Sequence, residues 1–263
     1  PPCYSRSTFN LRCRIALDKT AAKTLRAFEH MCRIEKSIGV SALAAKLDIT
    51  KSNAHRILTT LVETGYVQQL ESGEYFPTLK IWELGSMLLS RLDFVQIAKP
   101  HLRRLSEATG EQVYLASMSS GAVVYLDVIA SKHPIRTYAS IGSAAPLHCS
   151  ASGKVLLAYN QVLADEYLAA PLEKYTPRTV TKEADLRKVL DEVRKKGYAT
   201  NDGEWHEGVC GASAPVHTAF REGVAAVGIS ALKERTPRTK LVRFGEELRQ
   251  VSVRISRELG YHP

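Results

Sequence analysis

The spacing of apolar residues divides this chain into a helical N-terminal part and a mixed remainder. Leu25, Phe28, Met31 and Cys32 recur three and four apart, which predicts a first helix behind an Asp18 cap, ended by Ile38 and Gly39. Ser41 suits the N-cap of a short helix over 42–47, with Leu43 and Leu47 on one face, and 48–50 form a turn. Thr50 is the next cap. The helix behind it buries Ala54, Ile57, Leu58 and Leu61 and turns Lys51, Ser52, Asn53, His55, Arg56 and Thr59 outward. Beyond Gly65, the stretches 66–70 and 75–76, joined by the turn 71–74 and closed by Pro77, read as a short β-hairpin. Three helices and a hairpin predict a winged helix-turn-helix.

Ile81, Leu84, Leu88, Leu92 and Val95 restore a helical period from Leu79 through Ile97, with few turn residues before Pro100, so a linker helix is expected. The remainder alternates expected helices at 101–109, 152–160, 184–196 and 238–259 with strand-like runs at 113–116, 123–129 and 224–230. Strands grouped between helices make the fold class α+β. The expected organisation is an arm at 1–17, a winged helix-turn-helix at 18–78, a linker helix at 79–97 and a second domain at 98–263.

Composition narrows the chemistry. Of a formal net charge of +9 over 263 residues, the first 80 residues hold a disproportionate share, with 12 Lys and Arg against 7 Asp and Glu. Such a segment suits a polyanion, because cations that neutralise phosphates release condensed counterions; a solvated basic face would carry the same charge. The five cysteines (Cys3, Cys13, Cys32, Cys149, Cys210) are widely spaced and include no Cys-x-x-Cys pair. That argues against a disulfide framework or a zinc finger and fits a reducing compartment. The start carries no apolar signal core and no run approaches the roughly 18 apolar residues of a membrane span. A soluble cytoplasmic protein without membrane contact is expected.

In a helix-turn-helix the first helix braces the second, whose N-terminal residues reach base edges in the major groove. Asn53 is suited to a bidentate pair with adenine and Arg56 to guanine, while Lys51 and Arg56 equally suit phosphate; Ser52 and His55 lie on the same face. Double-stranded operator DNA is the expected partner. A solvated polar face, or a winged helix used for protein contact, is the alternative.

With the segment 40–66 (VSALAAKLDITKSNAHRILTTLVETGY), the stretches 146–158 (PLHCSASGKVLLA) and 197–216 (GYATNDGEWHEGVCGASAPV) make the chain resemble the IclR family of bacterial transcriptional regulators, over nearly its whole length. The resemblance implies a homodimer or homotetramer on a pseudo-palindromic operator. It also implies a C-terminal GAF-like α/β domain that binds a small effector, often a carboxylate or aromatic acid, and no cofactor. Position by position, it puts Ala151, Ser152, Asn201, Gly211, Gly228 and Ser230 at the ligand site. The family often has an acidic residue where Asn201 stands and a cysteine or other small residue where Gly211 stands.

Read on their own terms, residues 150–154 start a helix whose free N–H groups attract anions, with Ser150 or Ser152 either aiding a ligand or merely capping. His148 is either a ligand contact or a core histidine bonded to backbone. Gly228 and Ser230 offer close approach and a hydroxyl, and Gly211 leaves room for a bulkier ligand. Asn201 and Asp202 are expected on a loop before a strand. No catalytic set is expected: Ala151 stands where a Ser-x-x-Lys motif ending at Lys154 needs serine, and Val155 breaks a phosphate loop. A metal-responsive regulator using His148, Cys149, His206, Glu207, Cys210 and His217 is the second reading.

Overall fold

The computed structural model describes residues 18–90, 93–137, 139–219 and 221–262, so the arm expected at 1–17 lies outside the described residues. The chain forms two compact units that part at residues 91–92, inside the segment expected as a linker helix.

The N-terminal unit contains helices α1 (Lys19–Arg33), α2 (Val40–Leu47) and α3 (Lys51–Glu63), strands β1 (Val67–Gln69) and β2 (Tyr75–Pro77), and helix α4 (Lys80–Ser90). Asp18 caps α1 through its carboxylate, which accepts from the Thr20 and Ala21 amides at 2.8 and 3.0 Å. Thr50 caps α3 by accepting from Asn53 N–H. Helix α2 departs from expectation: it begins at Val40, Gly39 is its N-cap without a side-chain bond, and Ser41 sits exposed within the helix. The buried stripe of α1 is Ala27, Phe28 and Met31, whereas Leu25 is 63% exposed and Cys32 is exposed. Ile38 has left the helix altogether. It exchanges two 3.0 Å backbone bonds with Tyr75 and so adds a third short rung to the β1–β2 hairpin. Phe28, Met31, Leu43, Leu58, Leu61, Val67 and Tyr75 close one apolar core under these elements. Each full-sized side chain in it contributes about 2 kcal/mol by leaving water.

The C-terminal unit opens with α5 (Asp93–Thr109), then β3 (Gln112–Ser119), β4 (Ala122–Ile129) and β5 (Ala144–Ala145). Helices α6 (Ala151–Ala158), α7 (Gln161–Leu168) and α8 (Glu183–Lys196) follow. Strands β6 (Ala199–Asp202), β7 (Val209–Thr218) and β8 (Arg221–Leu232), a short 3-10 turn and α9 (Arg238–Glu258) complete it. The six strands form one antiparallel sheet in the order β5-β4-β3-β8-β7-β6. Helices α5 and α9 cover one face through Leu102, Leu105, Phe244, Leu248 and Ile255; α6, α7 and α8 cover the other through Leu156, Leu157, Leu163 and Leu190.

Three expectations change here. The helix expected to end at residue 97 and the one expected over 101–109 are joined: α5 runs unbroken through Pro100 to Thr109, while residues 91 and 92, between α4 and α5, lie outside the described residues. Proline removes the bond to the carbonyl four residues back, but Gln96 and Pro100 are both exposed, so that carbonyl is left to water. Asn201 and Asp202 belong to strand β6 rather than to a loop. Helix α7 and strand β5 were not anticipated, being short and only weakly periodic.

Candidate functional site

In the N-terminal unit, the four buried residues of α3 (Ala54, Ile57, Leu58, Leu61) fix which side faces outward. Lys51, Ser52, Asn53, His55 and Arg56 are all exposed, and Lys51 and Arg56 take part in no ion pair among the described residues. The left-handed Asp48 (φ 53) ends α2 and turns the chain so that α3 packs across it. Two cations and three polar side chains are thus presented from the first two turns of a helix braced from behind. That arrangement can contact phosphates and base edges.

In the C-terminal unit the antiparallel register gathers residues far apart in sequence. Asn201 pairs with Gly211, Gly211 with Ser230, and Ser230 with Gln112, so the four form one row across β6, β7, β8 and β3. One step along, Ala199, Ser213, Gly228 and Tyr114 form a parallel row. Paired residues and residues two apart share a face, here the one covered by α6. The residues expected at the ligand site therefore do meet: Ala151 and Ser152 open α6, and Asn201, Gly211, Gly228 and Ser230 lie on the sheet beneath it.

The chemistry of this face is specific. Ser150 caps α6, its Oγ accepting from Gly153 N–H at 3.1 Å while donating to the Pro146 carbonyl. Ser152 is fully buried and its hydroxyl has no hydrogen-bond partner of good geometry, although it lies beside the Tyr114 phenol. Burial pushes Tyr114 up to about 12, against the opposing pull of the Ser152 and Ser213 hydroxyls, so the phenol remains a donor. Asn201 Oδ1 accepts from Glu204 N–H at 2.9 Å, and the Glu204 carboxylate grips Lys154 Nζ at 2.6 and 2.8 Å. Lys154 is buried and Glu204 only partly exposed, and their pair ties α6 to the turn after β6.

Sequence reasoning missed Gln112 and Thr137. Thr137 Oγ1 donates to Gln112 Oε1 at 2.7 Å, and Gln112 Nε2 donates to the Ala139 carbonyl, so this buried amide fixes the chain after β4 along the end of the Asn201–Ser230 row. A glutamine opening a strand was the available signal.

Two expectations are corrected. His148 is buried and has both nitrogens engaged: a carbonyl only accepts, so Nε2 donates to Glu173 O at 2.8 Å and Nδ1 accepts from Tyr167 OH at 2.7 Å. Burial also holds its pKa below the ordinary histidine range, so the neutral ring is a core element and not a free ligand contact. Gly211 does not open space for a bulky ligand. A Cβ there would lie 2.5 Å from the Ile229 carbonyl oxygen, so the missing side chain serves the approach of β7 to β8.

The six residues of the metal reading are dispersed. Cys210 faces the α5 and α9 side of the sheet, and burial pushes the Cys149 thiol up to about 12. The His206 ring lies tilted against Trp205, and His217 Nδ1 accepts from Gly223 N–H. Among the described residues no three His, Cys, Asp or Glu side chains gather as a metal site, and no helix is long and apolar enough to cross a membrane.

Comparison with known proteins agrees with this division. Residues 20–71 match the IclR helix-turn-helix domain, and residues 86–257 match the family described as bacterial transcriptional regulator IclR C-terminal. The HTH-type transcriptional regulator KdgR of Escherichia coli (strain K12) is 34% identical over 231 residues, covering 87% of this chain and 88% of that protein. The crystal structure of Thermotoga maritima IclR is similar with a TM-score of 0.75 and 30% identity, over 92% of this chain and 99% of that one. An IclR homolog from Microbacterium hydrocarbonoxydans, solved in complex with 4-hydroxybenzoate, gives a TM-score of 0.78 and 25% identity over 92% and 99% of the two chains. The chain belongs to the IclR family of bacterial transcriptional regulators, with a helix-turn-helix domain that binds DNA and a C-terminal effector-binding domain.

Proposed function

We propose that the C-terminal unit senses a small organic acid, aromatic in its preferred form, held between the first turn of α6 and the Asn201–Gly211–Ser230 row, and that α3 reads the operator. The observation that carries the ligand site is Ser152: a buried hydroxyl without a partner is costly, and a ligand oxygen would satisfy it. The first-turn amides of α6 favour a carboxylate at that point. The neutral amide of Asn201 suits an anion better than a carboxylate would, and the Lys154 charge is already matched by Glu204. Ser230 and the Gln112–Thr137 pair offer polar contacts at the far end, where a ring hydroxyl such as that of 4-hydroxybenzoate would fall. Occupancy shifts DNA binding only through its differential affinity for two arrangements of the molecule.

The regulator acts as a homodimer or homotetramer in the cytoplasm. Ile81, Trp82 and Leu84 leave an apolar surface exposed on α4, the kind of surface a second copy covers.

A thermal-shift screen with benzoates and short hydroxy- and keto-acids tests the ligand class. A stabilising acid should lose its effect in Ser152→Ala and Ser230→Ala, while both variants keep wild-type operator affinity without ligand. Stabilisation that survives both substitutions would place the ligand elsewhere. For α3, Asn53→Ala should change base preference at one operator position, and Lys51→Ala should weaken binding to all sequences alike.

A further inference from the structure

We propose that Lys23 of α1 and Arg56 of α3 form a clamp that closes on one backbone phosphate of the bound duplex and so sets the depth at which Asn53 meets the bases. The clamp rests on the reading of α3 as the DNA-contacting helix and adds to it a residue from a different helix.

Helices α1 and α3 pack through their buried stripes, and at their outer edges they leave a cleft. Thr20, Lys23 and Thr24 line it from one side, Asn53, Arg56 and Thr60 from the other, with the buried Ile57 behind them. The lining holds two cations and no carboxylate. Lys23 and Arg56 are exposed and neither is in an ion pair among the described residues, so no internal partner must be displaced for an anion to bind. The hydroxyls of Thr24 and Thr60 are spent on carbonyls of their own helices, Thr20 O at 3.1 Å and Arg56 O at 3.0 Å. They keep the walls short and leave the charge to the two long side chains.

The nearest acid in sequence, Asp18, is turned onto the Thr20 and Ala21 amides. The start of α1 is therefore already saturated, and the attraction in the cleft comes from side chains and not from a helix end. A guanidinium and an ammonium on opposite walls match the chemistry of a phosphodiester, which carries one negative charge and two free oxygens. Asn53 lies on the same cleft one turn before Arg56. A phosphate seated there fixes the rotation and depth of α3 in the groove, a task that phosphate contacts perform without reading sequence.

The test uses the full chain and a fluorescein-labelled duplex of mixed sequence, with affinity followed by anisotropy through a salt titration. Lys23→Ala should weaken binding several-fold at low salt and flatten the slope of log affinity against log salt by less than about 0.9, the value of one whole phosphate contact, which only the loss of both cations removes. Lys23→Arg should restore both. Because the two cations share a phosphate, the double variant Lys23→Ala/Arg56→Ala should lose less than the product of the single losses. Lys36→Ala, an exposed lysine outside the cleft, is the reference, and unchanged melting of every variant excludes damage to the fold. If Arg56→Ala loses affinity and slope while Lys23→Ala matches Lys36→Ala, or if the two losses multiply, the clamp is overturned. If Lys51→Ala and Arg56→Ala also bind like wild type, the reading of α3 itself fails, which is a separate result.

Discussion

At the residue scale, glycine shows how the same absence of a side chain serves different ends. A Cβ at Gly153 would lie 2.2 Å from the Leu147 carbonyl oxygen and 2.4 Å from its Cα, all main chain that cannot step aside. Gly153 also donates to the Ser150 cap and follows Ser152 directly, so the placement of the unpartnered hydroxyl depends on this close approach. At Gly228 the obstacle is the Tyr114 ring, 2.3 Å away and held edge-on against Tyr125. Around Gly208 nothing lies within 4 Å. Gly153→Ala should therefore destabilise the fold at or above the top of the about 1–3 kcal/mol range for overpacking, whereas Gly208→Ala should stay within about 0.5 kcal/mol. Urea unfolding of the two variants checks this, and equal midpoints would contradict the geometry of α6. From sequence, Gly211 reads as room for a bulkier ligand and Gly228 as a place for a ligand to approach closely. A string of residues records that a side chain is missing but not what fills the space, here a carbonyl of β8 and a phenol of β3.

At the element scale, the segment leading into α6 is held by a buried polar group. His148 joins it to α7 through Tyr167 and to the following loop through the Glu173 carbonyl, with the Tyr175 ring 5.9 Å away. Burial, aided by Lys154 and opposed by Glu173, keeps the ring below the ordinary histidine range. As pH falls, the unfolded chain takes up this proton first, near pH ~6.5. The contribution is complete above that value and declines as pH drops towards the folded value. Between about pH 7.5 and 5.5 the wild-type urea midpoint should fall, and His148→Gln should show a smaller fall, because it removes the titrating group. An equal fall in both would assign the pH dependence to other groups. Elements with a strong apolar period (α1, α3, α8, α9) and apolar strands (β4, β8) were legible in the sequence. Strand β6 and helix α7 were not, because four and eight residues carry too little pattern and their burial comes from neighbours distant along the chain.

At the scale of the whole molecule, two units divide the work of the family: one presents α3 to DNA, the other surrounds the face under α6. Helix α4 leaves Trp82 68% exposed, with Ile81 and Leu84 also exposed. If a second copy covers this face, Trp82→Ser should weaken self-association at least roughly tenfold in sedimentation experiments, the loss of about 1.4 kcal/mol or more expected when a large buried aromatic is removed from an interface. Unchanged association would move the contact elsewhere. Because Trp82 is exposed within the chain, the substitution leaves the core of its unit intact. The sequence by itself determined the winged helix-turn-helix, the polar face of α3, the α+β class of the remainder and the family. Those rest on local periodicity, capping residues and contiguous motifs. Only the tertiary structure decided that Asn201, Gly211, Ser230 and Gln112 stand in one row, that both nitrogens of His148 are engaged while the buried Ser152 hydroxyl is left without a partner, and that Lys23 faces Arg56 across a cleft. Such relations depend on strand register and helix packing between residues far apart in the chain, and no local pattern records them.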